Sequence, residues 1–215
     1  MAIESLLAVK VWGDLACFTR PEMKVERVSY PVMTPSAARG LLESIFWKPE
    51  FHWRVDEIWV LNDIRYTSFM RNEITIRASE RTARGWAEHG GGYLADEDRT
   101  QRNTLALRDV AYVIRAQAAP KSGAAADAAK YRDQFRRRLE RGQAHSTPYL
   151  GCREFVASFA PLAGTERPVQ RTEDLGRMLL ALDYSKERDG HATPRFFDAR
   201  LDDGVLRVQH HEARD

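Results

Sequence analysis

Two cysteines, Cys17 and Cys152, are all that 215 residues contain, too few for a disulfide framework or a cysteine-based zinc site. A single structural pair stays open, and the scarcity suits a reducing cytoplasm. Long apolar runs are missing as well. No window approaches the ~18 uninterrupted apolar residues of a membrane span, and MAIESLLAVKVWGD carries neither the basic leader nor the cleavage site of a secretory signal. We therefore expect a soluble, cytoplasmic protein with no membrane partner. Metal-ligand spacing is absent too: the histidines at 52, 89, 145, 191, 210 and 211 form no defensible pattern with Cys, Asp or Glu. Gly90-Gly91-Gly92 has neither the strand-to-helix setting nor the lysine of a phosphate loop, which excludes nucleoside triphosphate binding by that route. The Ser, His and Asp residues form no nucleophile motif, and no internal repeat or low-complexity tract is visible.

What is present is a globular composition, 43% hydrophobic and 30% charged with a net charge of +2. That is enough to bury a sizeable core. Net charge this small decides nothing about partners; its distribution does.

Along the chain, 6–12 (LLAVKVW) reads as a first strand ended by Gly13-Asp14. Thr34 is placed to cap and Pro35 to open a helix over 35–47, whose Ala38, Leu41, Leu42 and Ile45 recur at helical spacing. Residues 52–70 turn β-rich, with a bend at Asn62-Asp63. Few apolar anchors and several glycines make 71–102 a surface excursion. In 103–117, Leu105 and Leu107 share one parity while Val110, Tyr112 and Ile114 share the other, as one extra residue near Asp109 would cause in a bulged strand. A helix over 124–141 follows, with Gly142 as its C-cap, then a strand over 152–159. MLLALDY, RFFDARL and VLRV, with a turn at Asp203-Gly204, predict a small C-terminal hairpin or sheet. The order β-α-β-β-α-β is that of a ferredoxin-like (RRM-like) unit of the α+β class. We expect it over residues 1–160, with a small antiparallel β extension over 161–215.

The stretch 128–143, AAKYRDQFRRRLERGQ, holds six cations and two anions. Lys130, Gln134, Arg137 and Arg141 fall on one helical face with Tyr131 and Arg138 beside them, while Phe135 and Leu139 point toward the sheet. Such a face suits an RNA backbone; a solvated face whose arginines snorkel over the core fits the same pattern. TRPEMKVERVSY presents Arg20, Lys24, Arg27 and Tyr30, able to clamp phosphates and stack a base. Its interleaved Glu22 and Glu26 equally suit a loop held by ion pairs. His145, just after the basic helix, stands where a general acid or base would reach a bound strand; an idle histidine fits there too.

Three stretches, VWGDLACFTRPEMKVERVSYPVMTPSAARGLLESIFWKPE, RTQRNTLALRDVAYVIRA, and KYRDQFRRRLERGQ with PYLGCREF, resemble the type I-C (Dvulg subtype) CRISPR-associated subunit of the RAMP superfamily. The similarity runs from residue 9 to about 160 and more weakly through DLGRMLLALDY. It implies a ferredoxin-like RNA-binding domain that processes precursor crRNA in its repeat hairpin and retains the 5′ handle within Cascade. It also implies cleavage by the ribose 2′-OH without metal or cofactor, leaving a cyclic phosphate. Partners implied are the backbone and large subunits of that complex, with non-specific duplex DNA contact. Family members carry a tyrosine or similar group in the segment matching SIFWKPE, here Phe46, and a Lys-His pair where this chain has Lys130-Tyr131. Lys130 inherits phosphate stabilisation; Phe46 has no proton to exchange. The expected catalytic set is therefore Lys130, Tyr131 and His145. The expected RNA-binding set is Arg20, Lys24, Arg27, Tyr30, Arg39, Lys48, Arg137, Arg141 and Arg153. A subunit that caps the handle without cutting is the alternative.

Overall fold

A computed structural model describes residues 6–23, 25–75, 79–92, 96–124, 127–183 and 192–209. In chain order its elements are β1 (Leu7–Ala16), β2 (Arg27–Val28), α1 (Pro35–Ile45), β3 (Phe51–Val60), β4 (Tyr66–Ile74), α2 (Glu80–His89), β5 (Arg99–Pro120), α3 (Ala128–Glu140), β6 (Ser158–Ala160), β7 (Glu173–Asp183), β8 (Thr193–Asp202) and β9 (Val205–Arg207). The class is α+β, as expected. One nine-stranded sheet follows the path β6-β1-β5-β3-β9-β8-β7, with β2 and β4 also paired to β5. No helix among the described residues is long and apolar enough to cross a membrane.

The sheet is organised by β5, a strand of 22 residues. Along one edge it pairs antiparallel with β1, from Leu7↔Ala116 to Ala16↔Leu107. Its other edge is shared: residues up to Leu107 pair with β4, and those from Tyr112 onward pair with β3. Asp109 lies at this joint with φ of 53°, a left-handed conformation that Asp tolerates better than most side chains. The parity change read from the sequence falls at this residue, but the extra residue expected there does not: the register with β1 runs unshifted from Gly13↔Val110 to Leu15↔Arg108, and the bulge lies in β3, between Val55 and Glu57. The β3–β4 turn closes on the joint, where Asn62 donates to the Asp109 carbonyl at 2.8 Å.

Two longer segments also depart from expectation. The excursion 71–102 is mostly regular: β4 continues to Ile74, β5 already starts at Arg99, and α2 lies between them with Ser79 as N-cap. None of the α2 residues is buried, so it has no apolar stripe by which periodicity would reveal it. The strand over 152–159 shrinks to Ser158–Ala160. Before it, Phe155 N–H bonds the Cys152 carbonyl at 3.0 Å and Leu150 N–H bonds the Phe155 carbonyl at 2.8 Å, so the chain turns back on itself. Gly151 permits this at φ of 84°; a Cβ there would lie 2.1 Å from the Cys17 carbonyl oxygen.

α1 forms where its cap predicts, whereas α3 starts at Ala128 rather than at 124, because Asp127 and not an earlier residue caps it. Thr34 accepts the Ala37 N–H at 3.2 Å, and α1 buries Ala38, Leu41, Leu42 and Ile45 before Phe46 leaves it in extended conformation. Asp127 accepts the Lys130 N–H at 3.0 Å, and Gly142 follows α3 at φ of 61°. Residues 125 and 126 of the expected second helix lie outside the described residues. α1 has no basic residue in its last turn, and Arg138 of α3 supplies one by donating to the Ile45 carbonyl at 3.0 Å. That places a cation at the negative end of the α1 dipole. At the C-terminal end, Asp203 and Gly204 both hold positive φ between the paired Asp202↔Val205 of β8 and β9, as a two-residue hairpin turn requires. β9 pairs in turn with β3, which joins the antiparallel C-terminal strands to the main sheet.

Candidate nucleic-acid interface

The chain between α1 and β3, residues 46–50, is where α1, α3 and the sheet meet. Phe46 is buried and stacks on Phe51 at 5.5 Å and 29°; Phe51 stacks on Tyr131 at 4.7 Å and 26°. Tyr131 is 1% exposed and its hydroxyl donates to the Glu50 carboxylate. It therefore belongs to the core, contrary to its expected place beside the cations. The reason is helical: 131, 135 and 139 follow one another at four-residue steps, and Tyr131, Phe135 and Leu139 are the three buried residues of α3. Beneath the stack, Trp53 meets Phe135 at 4.9 Å and donates its indole N–H to the Phe46 carbonyl at 2.9 Å. Both positions that depart from the family pattern are thus members of one aromatic stack.

Lys130, one position earlier, is exposed in the first turn of α3. Nearby, Lys121 donates to the Pro49 carbonyl at 2.7 Å, and Lys48 is half-buried. Arg137 and Arg141 are exposed farther along the helix. None of Lys48, Lys130, Arg137, Arg141 or Arg153 forms an ion pair with a described carboxylate. Asp133 instead engages Arg132 and Arg136, at 3.4 and 4.0 Å.

At the other end of α3 a cleft of about 610 Å³ opens between α1 and the segment 143–153, lined by Gly40, Glu43, Trp47, His145, Tyr149 and Arg153. Its wall is held by backbone: the His145 and Ser146 N–H groups both donate to the Ser44 carbonyl, at 2.8 and 3.0 Å. The His145 ring is left exposed. Arg39 reaches this cleft only through its ion pair with Glu43 at 3.3 Å. Sequence reading found His145 and Arg153 but missed Trp47, Tyr149 and Gly40. A tryptophan just past a helix end reads as a core anchor, and only its 53% exposure says otherwise. Lys130, Tyr131 and His145 are not brought together: Lys130 and Glu140 stand ~15 Å apart at the helical rise, and His145 lies beyond Glu140.

The expected clamp at 20–30 is also corrected. Tyr30 is 1% exposed, with the Arg20 guanidinium 4.6 Å above its ring, so no base can stack there; burial raises its phenol pKa. Arg20 itself pairs with Glu22 at 3.8 Å. Arg27 is committed to Glu73 at 3.2 Å and Glu154 at 3.5 Å, both shared with Arg71, and contacts the Cys152 sulfur at 3.4 Å. Lys24 lies outside the described residues. The Cys152 sulfur also lies 3.7 Å from the Cys17 carbonyl oxygen, and the two thiols are adjacent. A hydrogen bond from Cys17 holds the Cys152 thiol down at about 6, with Arg27 adding to it; Cys17 is pushed up correspondingly.

Residues 6–209 match the family model Cas_Cas5d, described as CRISPR-associated protein (Cas_Cas5). The chain belongs to the Cas5d family. Proteins named CRISPR pre-crRNA endoribonuclease Cas5d are similar to it throughout. That of Thermus thermophilus is 44% identical over 217 residues, covering 94% of this chain and 90% of that protein. That of Mannheimia succiniciproducens is 43% identical over 216 residues, covering 94% of each. Crystal structures of a CRISPR-associated protein and of a functionally uncharacterized Streptococcus mutans protein give TM-scores of 0.67 and 0.66 at 21% and 19% identity, each over 95% of this chain and 92% of the other. At that identity the likeness speaks for the fold alone.

Proposed function

We propose that this Cas5d-family chain cleaves precursor crRNA within the repeat and keeps the 5′ handle of its product as a subunit of a type I-C Cascade. The name of its relatives supports the reaction. The strand order β6-β1-β5-β3, antiparallel at each step, supports a ferredoxin-like core over 1–160 with β7–β9 as its C-terminal extension. The observation that carries the reading within this chain is the run of cations free of described ion pairs, from Lys130 through Arg137 and Arg141 to Arg153. An unneutralised row of this kind binds a phosphodiester backbone and releases its counterions. The same cations would give non-specific contact with duplex DNA, and the retained handle would seed assembly with the backbone and large subunits.

In this reading the ribose 2′-OH attacks the adjacent phosphorus, the P–O5′ bond breaks with the departing 5′-oxygen taking a proton from water, and a 2′,3′-cyclic phosphate remains. Lys130 stabilises the charge gathering on the non-bridging oxygens. Glu50, held by the Tyr131 hydroxyl one helical position from Lys130, accepts the 2′-OH proton. Tyr131 is thus a positioning residue, and His145, at the far end of α3, contributes to binding. The test is the purified protein with its cognate repeat hairpin in EDTA, beside the same hairpin carrying a 2′-deoxy residue at the cut. Cutting the first and sparing the second supports the reading; failure to bind either overturns it. Tight binding without cutting replaces it with the second reading, a handle-capping assembly subunit, which the burial of Phe46 and Tyr131 favours.

A further inference from the structure

We infer that the cleft between α1 and the segment 143–153 receives one unpaired nucleobase of the bound RNA, stacked on Trp47 with its phosphate on Arg153. This deepens, and rests on, the RNA-binding reading above. Trp47 is 53% and Tyr149 38% exposed, and both line this one cleft. Large aromatic rings are ordinarily withdrawn from water, as Trp53 is at 2%. Two left open in one concavity make a platform that any base can cover, since every base has a π-face.

Gly40 points the same way independently. It sits in the middle of α1, where glycine weakens a helix relative to alanine, and a Cβ built on it meets no atom within 4 Å. Packing inside the protein therefore does not ask for glycine there. Its bare, exposed backbone lines the cleft, where an incoming ring needs close approach. Arg153 supplies an unpaired cation at the rim, and the Glu43 carboxylate and the hydroxyls of Ser146 and Thr147 offer polar partners for a base edge. An exposed cleft of this size also fits a side chain from a neighbouring protein subunit; the rim cation and the exposed rings beside a cationic helix favour RNA.

The experiment walks a single abasic ribose through the unpaired positions of the cognate repeat RNA and measures Kd for wild type, Trp47→Ala and Gly40→Gln. One position is expected to cost wild type about ten- to a hundred-fold in affinity and to cost Trp47→Ala nothing further, the non-additivity of two groups in contact. Gly40→Gln is expected to lose comparable affinity for the intact RNA while its urea midpoint stays level or rises. Equal losses at every abasic position, or additive losses with Trp47→Ala, overturn the inference and leave the cleft to a protein partner. So does wild-type affinity in Gly40→Gln. A wild-type protein that binds no repeat RNA would instead overturn the function on which the inference rests.

Discussion

Replacing Tyr131 separates the two things its side chain does. The ring is 1% exposed and stacked on Phe51 at 4.7 Å, so Tyr131→Ala removes a core aromatic, a change that costs about 3–5 kcal/mol. Against a domain stability of about 5–15 kcal/mol, that is a large share of the whole. Tyr131→Phe keeps the ring and deletes only the hydroxyl that donates to Glu50. A hydrogen bond to a charged group is worth about 1.5–3 kcal/mol when buried; with Glu50 half-exposed, about 1 kcal/mol is the expected cost. Urea unfolding at constant m reads both values. Single-turnover cleavage of the repeat RNA reads the second role: Tyr131→Phe should slow the cut while leaving Kd for RNA unchanged. If Tyr131→Ala costs less than about 1 kcal/mol, the ring is not in the core and the packing described above is wrong. If Tyr131→Phe cuts at the wild-type rate, Glu50 does not depend on Tyr131 as assigned.

Lys130→Ala should reduce cleavage by about a hundred-fold or more while shifting stability by no more than about 0.5 kcal/mol, because the ammonium is exposed; an undiminished rate removes its catalytic assignment. Gly151→Ala should fail to accumulate as soluble protein, or lose more than about 3 kcal/mol, because its Cβ would sit 2.1 Å from the Cys17 carbonyl; an ordinary unfolding curve would show that this turn has room. Between pH ~6 and the ordinary thiol value of 9.0 the folded chain has released a Cys152 proton that the unfolded chain still holds, so wild type should gain stability over Cys152→Ser as pH rises through that window and lose the gain as pH falls through 6. Above it the raised Cys17 reverses the trend, and a difference between the two melting profiles that is flat with pH would contradict the pairing.

Much of the fold was legible because its signals are local. Thr34-Pro35 and Gly142 marked helix ends through single backbone hydrogen bonds and one left-handed residue. The parity change around Asp109 marked the joint of β5, since a strand alternates faces with period two. α2 and the outer part of the β4–β5 ribbon, beyond Met70 and before Asn103, were not legible: their residues are polar or exposed, so no apolar face marks a period. Tyr131 was misplaced although its four-residue spacing to Phe135 and Leu139 was available, because its neighbours are cations and a tyrosine is at home on either face. Arg27 and Tyr30 look like an RNA clamp in a linear reading. Only their distant partners, Glu73, Glu154 and the Arg20 guanidinium, show them spent within the protein.

By itself the sequence determined the element order, the two capped helices, the C-terminal turn at Asp203-Gly204 and the cationic helix, all matters of neighbours within a few residues. Tertiary structure alone decided which cations stay unpaired and which rings stay exposed. Those depend on carboxylates and core partners brought together from across the chain, as when Glu50 meets Tyr131 or the 143–153 segment closes on Trp47. Local periodicity says which way a side chain points, but not what it finds there.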